Sequence, residues 1–439
     1  MRGFCGGLPA LYRRAGHLFF GAAALALILC VLFGGREIGL SDNGDFARVM
    51  AASSLAGETP GERFSYVGAY TVRLTEDSAM GNIRRILFGA EGLRDYPSVQ
   101  VLFVRLSVVL NLIYNRMAGC DPALYRLGFL GALYALLYAA VLAFLFAQFQ
   151  IRRPFADFVL KCMVIVVLCD VGYITYFNSL YGEALQIIFL VFCAACLVRV
   201  LLHRPGRADI VLCAAAAAGF GASKFFNLPA AVLIALLLEG IIFIRTKRKT
   251  AIVCGVLAVA VLGAVLAAVP AWMDTETTYN AVFFGVVRDV DEATAARYLE
   301  DLGLPADAAR FRDTNYYVQG VPEALAESGY AEKLLSLSKT DLLLFYLRHP
   351  ALLWRQMNVV VLNCGFLRPY YLSNYDDTFP RPTFSHRFSL WSDLRLRLSF
   401  DGWLGLLGVA AAFFSVVLPR RGGKRRGGAA AAAVLAALL

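Results

Sequence analysis

Long apolar segments recur from one end of this chain to the other, separated by polar connections. A helix needs about 20 predominantly apolar residues to cross a bilayer, and most of these segments approach that length. The alternating segments of about ten residues that indicate a membrane β-barrel are not seen. The pattern predicts eight clear transmembrane helices, over residues 18–35, 125–149, 158–174, 184–202, 210–221, 228–244, 251–271 and 402–418. A ninth begins at Ala429 and stops at Leu439, so about nine helices are expected, the last of them truncated.

Composition agrees with a membrane location. Of the 439 residues, 59% are hydrophobic and 17% are charged, and the mean hydropathy is +0.62. A water-soluble domain of this size could not bury so much apolar surface, so lipid must cover part of it. We therefore expect an all-α polytopic membrane protein in contact with the lipid bilayer.

Basic residues set the expected orientation. The net charge is +10, and clusters of arginine and lysine occupy short connections, where positive charge marks the cytoplasmic side of a membrane. All these clusters are cytoplasmic only if the apolar segment 99–115 lies in the membrane interface instead of crossing. On a helix, Leu102 and Ile113 share one arc, whereas Gln100 and Asn111 share another, which agrees with an interfacial helix. We expect a multi-pass protein of the cytoplasmic (inner) membrane with a cytoplasmic N-terminus, and no nucleic-acid partner.

This topology places every substantial polar segment on the outer face of the membrane. The short outer connections are 175–183 and 222–227, and the inner loops are all short basic connectors. The predicted organisation is a transmembrane core over 1–271 that includes the first outer loop (36–124), a small extracytoplasmic subdomain over 272–400, and C-terminal membrane helices over 401–439.

The first outer loop carries two carboxylates directly after the first span, in the sequence Asp42-Asn43-Gly44-Asp45. Such residues favour the start of a helix over 46–55, with Asp45 near the positive end of its dipole. Alternatively, the two carboxylates supply a general base or bind a metal ion or a sugar hydroxyl. The spacing leaves both interpretations open, and they are compatible with each other.

The two short outer connections carry further polar residues at the same expected depth. Asn178, Tyr181 and Glu183 form a compact cluster between two spans. Glu183 is also favourable at a helix start without any catalytic role, so a structural interpretation stays open. Lys224, in the next connection, either extends to the interface or binds an anionic group such as a lipid phosphate.

The long fourth outer segment predicts a small helical subdomain. Amphipathic helices are expected over 291–302 and 340–349, the second broken at Pro350, followed by a re-entrant or surface segment over 351–362. Arg348 and His349 are candidate phosphate ligands. An aromatic run that includes Tyr375 is typical of an interfacial belt, and aromatic faces also stack on sugar rings.

Several chemistries lack their motifs. The chain has no Walker loop, no His-Glu-x-x-His and no Gly-x-Ser-x-Gly elbow. Cys193 and Cys196 have the spacing of a redox motif, but no charged neighbour would activate a thiolate, so we interpret them as core packing. Few ionisable residues lie at mid-bilayer depth, which disfavours a transporter.

The order of these motifs resembles the GT-C superfamily of integral-membrane glycosyltransferases, in particular the WsfD-like bacterial hexosyltransferases of surface-glycan assembly. The resemblance spans nearly the whole chain and rests on Asp42-Asn43-Gly44-Asp45-Phe46, Asn178-Ser179-Leu180-Tyr181-Gly182-Glu183, Ser223-Lys224, Arg348-His349-Pro350 and Tyr371-Leu372-Ser373-Asn374-Tyr375. It implies a GT-C-like helical bundle with an interfacial helix in the first outer loop.

The resemblance also implies an activity, transfer of a hexose from a polyprenyl-phosphate donor to a glycan acceptor. Asp45, in preference to Asp42, would take the proton of the acceptor hydroxyl, and direct displacement would invert the anomeric centre. Substrate-binding roles are implied for Asn43, Arg48, Asn178, Tyr181, Glu183, Lys224, Arg348, His349 and Tyr375. Binding of a divalent ion, Mg²⁺ or Mn²⁺, by the two aspartates is left open. The alternative function is a transporter or flippase of a lipid-linked glycan.

Overall fold

Helices form most of the structure. The computed structural model describes residues 4–56, 64–76, 78–89, 96–150, 153–268, 271–363, 366–376, 383–398, 403 and 407–408. The helices are α1 (Phe4–Phe33), α2 (Phe46–Ala52), α3 (Ala79–Phe88), α4 (Val99–Ala118), α5 (Gly128–Gln148), α6 (Pro154–Leu168), α7 (Val171–Ile174), α8 (Glu183–Leu202), α9 (Arg207–Ser223), α10 (Leu228–Thr246), α11 (Lys249–Ala267), α12 (Ala271–Ala281), α13 (Glu292–Asp301), α14 (Val321–Ser328), α15 (Tyr330–Ser336), α16 (Lys339–Arg348), α17 (Pro350–Leu362) and α18 (Leu390–Leu398). The predicted membrane helices over 402–418 and from Ala429 fall outside the described residues, apart from three isolated positions.

The chain forms two compact units. The described residues up to Ala268 and those from 366 to 398 belong to the first unit, and 271–363 with Trp403 belong to the second. Residues 366–398, which the predicted subdomain over 272–400 included, are thus part of the first unit.

The first unit contains the membrane helices. Within the described residues, six helices are long and apolar enough to cross a bilayer, or seven if a bent pair counts as one span. They lie in α1, α4, α5, α8, α10 and α11, and the bent pair is formed by α6 with the segment from Val171 to Asn178. The structure thereby supports a multi-pass helical membrane protein. The predicted span over 210–221 is helical as α9, which is 17 residues long.

The predicted span over 158–174 is not one straight helix. It bends by 46° after Leu168. Asp170 causes the break, because its Oδ1 accepts a hydrogen bond from the Gly172 backbone N–H at 2.8 Å and caps a new helix. The polar residue inside an apolar segment therefore begins α7.

Helix α4 buries its polar arc. Gln100, Ser107, Asn111 and Asn115 are all buried. Of the apolar arc, Leu102, Leu106, Leu110 and Ile113 are exposed, whereas Phe103 is half-buried and Val109 is buried. The buried amides are satisfied locally, as in the 2.7 Å bond from Asn111 Nδ2 to the Leu124 carbonyl oxygen. The predicted division into two arcs is correct apart from Val109, which is buried. Since α4 is also apolar enough to span a bilayer, its interfacial location stays a prediction.

A short antiparallel pair of strands, β1 (Ala69–Thr71) and β2 (Leu124–Arg126), joins the first long loop to the start of α5. Tyr70 lies opposite Tyr125 in this pair, and both side chains are buried. The strands therefore tie the first long loop to the helical core next to α4.

Two further expectations concern local structure in the first unit. The helix predicted over 46–55 ends earlier, at Ala52, because Ser54 has a left-handed backbone with φ of 60° that an α-helix cannot contain. Cys193 and Cys196 are buried free thiols in α8, as expected for core packing.

The second unit has its own core, built around Tyr279, Phe283, Leu299 and Phe345. The helices predicted over 291–302 and 340–349 are present as α13 and α16, with bounds that differ by one residue. The segment 351–362, predicted to be re-entrant or to lie on the surface, is helical as α17. Local capping sets these starts: Asp291 accepts from the Thr294 N–H at 2.9 Å at the start of α13.

Candidate active site

The turn before α2 is organised by Asp42. Its Oδ1 accepts hydrogen bonds from the backbone N–H groups of Gly44 at 2.7 Å and Phe46 at 3.1 Å, and the residue is 5% exposed. Gly44 has φ of 109°, a conformation that L-residues rarely adopt. Asn43 reinforces the turn, because its Oδ1 accepts from the Asp45 N–H at 3.1 Å. The carboxylate of Asp42 therefore caps the helix start.

Asp45 presents its carboxylate to the surroundings. Its side chain is 41% exposed, and the Arg48 guanidinium donates to its Oδ1. Arg48 also donates through Nε to the Asp45 carbonyl oxygen at 3.3 Å. Because both contacts come from one turn further along α2, they fix Asp45 relative to the helix. Of the two aspartates, Asp45 is the more exposed.

Tyr181 joins this turn to the connection before α8. Its hydroxyl donates to the Ser41 carbonyl oxygen at 2.9 Å and accepts from the Asn43 N–H at 3.1 Å. Its ring packs edge-on against Phe46, with centroids 4.7 Å apart. Burial, with a further contribution from the negative charge of Asp42, raises the pKa of Tyr181, so the hydroxyl stays protonated and able to donate.

Asn178 supports the backbone behind the turn. It is fully buried, and its Nδ2 donates to Glu37 Oε1 at 2.8 Å and to the Ile38 carbonyl oxygen at 3.0 Å. The Tyr66 hydroxyl completes the group, 2.7 Å from Nδ2 and from Glu37 Oε1. Burial and then Glu37 raise the pKa of Tyr66. In this structure Asn178 positions the loop, and its predicted substrate contact is untested.

Glu183 and Lys224 form an ion pair between Glu183 Oε1 and Lys224 Nζ. Glu183 is the first residue of α8, and Lys224 follows the last residue of α9, so the helix ends bring the two charges together. The side chains are 28% and 35% exposed, respectively. The helix ends thus form a partly exposed ion pair.

Two tyrosines show that the charged pairs share one neighbourhood. Burial raises the pKa of Tyr96 to about 12, Arg48 opposes this rise, and Glu183 and Asp45 add to it. The Arg48 guanidinium carbon lies 5.9 Å from the centre of the Tyr96 ring. The pKa of Tyr371 is raised by burial and by the negative charges of Asp45 and Glu183. Asp45 and Glu183 therefore both contribute to the raised pKa values of Tyr96 and Tyr371.

The sequence did not point to Tyr96 as a site residue, and Tyr371 entered only as a member of the aromatic run and of a motif of the resemblance. Neither has a spacing that signals a site, because Tyr96 precedes α4 and Tyr371 is far along the chain. Only tertiary contacts reveal them.

The segment 371–375 is hydrogen-bonded to the first long loop. The Ser41 N–H donates to the Ser373 carbonyl oxygen at 2.9 Å, and the Ser373 N–H donates to Ser41 Oγ at 2.9 Å. The Tyr66 N–H donates to the Tyr375 carbonyl oxygen at 3.0 Å, and the Tyr375 ring stacks with Arg36 at 4.6 Å. Tyr375 therefore lies next to the loop that carries Asp42.

Arg348 and His349 lie in the second unit, at the end of α16. His349 Nε2 is 3.5 Å from Asp301 Oδ2, and its ring centre is 4.3 Å from that of Phe345. Arg348 is exposed. These contacts anchor His349 inside its own unit, and the predicted phosphate contact of both residues stays a prediction.

The donor set at the aspartates fits a divalent metal poorly. Mg²⁺ is held by oxygen ligands, and each aspartate has already committed one carboxylate oxygen, Asp42 Oδ1 to two backbone donors and Asp45 Oδ1 to Arg48. No cluster of three or more His, Cys, Asp or Glu side chains suitable for a metal occurs in the part of the chain that the structure describes.

Fold and site together define a multi-pass helical membrane protein with a charged, tyrosine-lined site in its first unit. The chain belongs to the family described as the YfdI N-terminal transmembrane domain, which it matches over residues 13–422. This is a family of GT-C-like glycosyltransferases, in agreement with the resemblance at the level of the superfamily, whereas the finer likeness to WsfD-like enzymes is untested. No curated protein and no solved structure matches the chain.

Proposed function

We propose that this protein is a glycosyltransferase that moves a hexose from a polyprenyl-phosphate donor to a surface-glycan or lipid-linked acceptor on the outer face of the cytoplasmic membrane. The observation that carries the proposal is that Tyr181 hydrogen-bonds the turn before Asp45 to the connection that ends at Glu183, so that two carboxylates, each paired with a cation, belong to one site. Both carboxylates also contribute to the raised pKa values of Tyr96 and Tyr371. Membership of a GT-C-like family supports the same class of reaction.

Asp45 is the proposed general base. Its half-exposed carboxylate accepts the proton of an acceptor hydroxyl while the hydroxyl oxygen bonds to the anomeric carbon. The bond between that carbon and the phosphate oxygen breaks at the same time, and the electron pair leaves with the phosphate. Attack opposite the leaving group inverts the anomeric centre. Arg48 holds the carboxylate in place, and Asp42 and Tyr181 hold the turn that carries it.

Lys224 is the proposed partner of the leaving phosphate. Negative charge grows on the phosphate in the transition state, and a pre-positioned cation stabilises that charge most strongly where water is partly excluded. Lys224 is held by Glu183 and remains about one-third exposed. The protonated hydroxyl of Tyr371 supplies a further donor in this neighbourhood.

Reconstitution tests the proposed function. Purified protein in liposomes receives a polyprenyl-phosphate hexose labelled in the sugar, together with a lipid-linked glycan acceptor, and the labelled glycan is measured. We expect protein-dependent formation of a new glycosidic bond. The alternative function predicts that the labelled lipid moves between leaflets without any new bond, and that result would replace the transferase proposal.

A further inference from the structure

A buried glutamine lies beside the Glu183–Lys224 pair. Gln100, at the start of α4, is 0% exposed, and its Nε2 donates to the Leu180 carbonyl oxygen at 2.5 Å. Because that carbonyl can only accept, the bond fixes which end of the amide carries the oxygen. A Cβ built on Gly182 would lie 3.4 Å from Gln100 Oε1 and 3.3 Å from Lys224 Cγ. The amide oxygen and the stem of the lysine therefore both pack closely against Gly182, next to the Ser223 carbonyl oxygen.

Two oxygen atoms at this place lack a donor. Gln100 Oε1 and Glu183 Oε2 are both buried and have no hydrogen-bond partner within the described ranges of the chain. The other oxygen of Glu183 is used by Lys224. Leaving a buried acceptor unsatisfied is unfavourable, so such atoms in a native protein call for an explanation, and a ligand that supplies donors provides one.

The chemistry of these groups defines the ligand. Two acceptors require a ligand with at least two donors. Because one of the acceptors belongs to the Glu183 carboxylate, an anionic group at this position would be repelled. Lys224, which is paired with Glu183, disfavours a cationic ligand and favours an anionic group next to the donors of the ligand. A hexosyl phosphate has this arrangement, because its 2-hydroxyl and 3-hydroxyl follow the carbon that bears the phosphate.

We propose that Gln100 Oε1 accepts a hydrogen bond from the 2-hydroxyl of the donor hexose, and that Glu183 Oε2 accepts one from the neighbouring hydroxyl, while Lys224 contacts the phosphate. The inference rests on the proposed function for the identity of its ligand. It adds Gln100, which no motif selected, to the residues that bind substrate, and it makes the site selective for sugars that carry a 2-hydroxyl.

Binding measured by thermal unfolding of the purified protein tests this inference. The probes are polyprenyl-phosphate glucose, galactose and mannose, together with the 2-deoxy form of whichever binds most tightly. We expect the wild type to prefer the hexose over its 2-deoxy form by about tenfold or more, since a site built to bond a hydroxyl discriminates against its absence. Gln100→Met should abolish this preference. If it does not fold, Gln100→Asn, which keeps the amide but withdraws its oxygen, should do the same.

Asn111→Leu is the matched control, because Asn111 is a buried amide on the same arc of α4 with its own partner at Leu124. It should keep the preference for the 2-hydroxyl even if stability falls. Equal preference in the Gln100 and Asn111 variants, or a wild type that binds none of the hexoses or binds them no better than the 2-deoxy form, would overturn the inference. Transfer is measured in parallel: selective binding without transfer refutes the transferase alone, and transfer without selectivity refutes only the hydroxyl contact.

Discussion

Removal of one hydroxyl, in Tyr181→Phe, separates the turn that carries Asp45 from the connection before α8. The hydroxyl bridges two backbone groups, the Ser41 carbonyl oxygen at 2.9 Å and the Asn43 N–H at 3.1 Å. The phenylalanine ring can still pack against Phe46, so the change deletes the hydrogen bonds and leaves the apolar contact. We expect loss of both stability and activity.

The magnitude follows from burial. Ser41 is fully buried, so its carbonyl loses a donor that water cannot easily replace, at about 1–3 kcal/mol. Asn43 is partly exposed, so its N–H can find water and the loss is about 0.5–1 kcal/mol. The free energy of unfolding should therefore fall by about 1.5–4 kcal/mol. A displaced turn misplaces Asp45, and kcat for transfer should fall about 10- to 100-fold.

Unfolding in mixed micelles of dodecyl maltoside and SDS measures the stability, and transfer in liposomes measures kcat. Tyr176→Phe is the matched control, because Tyr176 is similarly buried but its hydroxyl makes no hydrogen bond within the described residues. Its stability should stay within about 0.5 kcal/mol of wild type. If Tyr181→Phe were as stable and as active as Tyr176→Phe, the bridging role of Tyr181 would be refuted.

Two further predictions concern stability, measured by the same unfolding assay. Lys161 and Asp157 form a buried ion pair at 2.7 Å, so Lys161→Met should cost about 3–5 kcal/mol. The double variant with Asp157→Leu should regain part of this loss, because the Tyr12 hydroxyl also donates to Asp157 and loses its acceptor; no recovery would contradict the pairing. Asp170 accepts from the N–H groups of Gly172 at 2.8 Å and Trp391 at 2.9 Å, so Asp170→Ala should cost about 1–3 kcal/mol. Asp170→Asn, which keeps an acceptor oxygen, should lose less, and equal losses would argue against this capping role.

The membrane helices could be predicted because apolar length is a local property of the sequence. The segment over 158–174 is an exception. The segment 158–174 looked continuous, yet Asp170 breaks it, and one of its partners is the backbone of Trp391, more than 200 residues away. A pattern read over about 20 residues cannot contain that information. The arcs of α4 were predictable, because 100° per residue separates Gln100 from Leu102 without any tertiary knowledge.

The site was predictable only in part. The aspartate pair and the Glu183 and Lys224 positions could be selected because polar residues next to apolar spans stand out. Spacing could not tell Asp42 from Asp45, since the difference lies in hydrogen bonds: one carboxylate caps the turn and the other is exposed beside Arg48.

The amide Gln100 and the phenol Tyr96 were missed as site residues, because their roles depend on packing between distant segments. Gln100 donates a hydrogen bond to the Leu180 carbonyl oxygen, and the negative charge of Glu183 contributes to the raised pKa of Tyr96. Neither contact leaves a signal in the local sequence.

The central claim, that Asp45 is the base of a hexosyl transfer, is tested most directly by the transfer rate of Asp45→Asn in liposomes. A general base contributes about 10²- to 10⁴-fold, so kcat should fall by that factor while donor binding is retained. Asp376→Asn is the matched control, since Asp376 is also an exposed aspartate paired with an arginine, Arg36, and it should transfer at the wild-type rate. Wild-type transfer by Asp45→Asn would contradict the account.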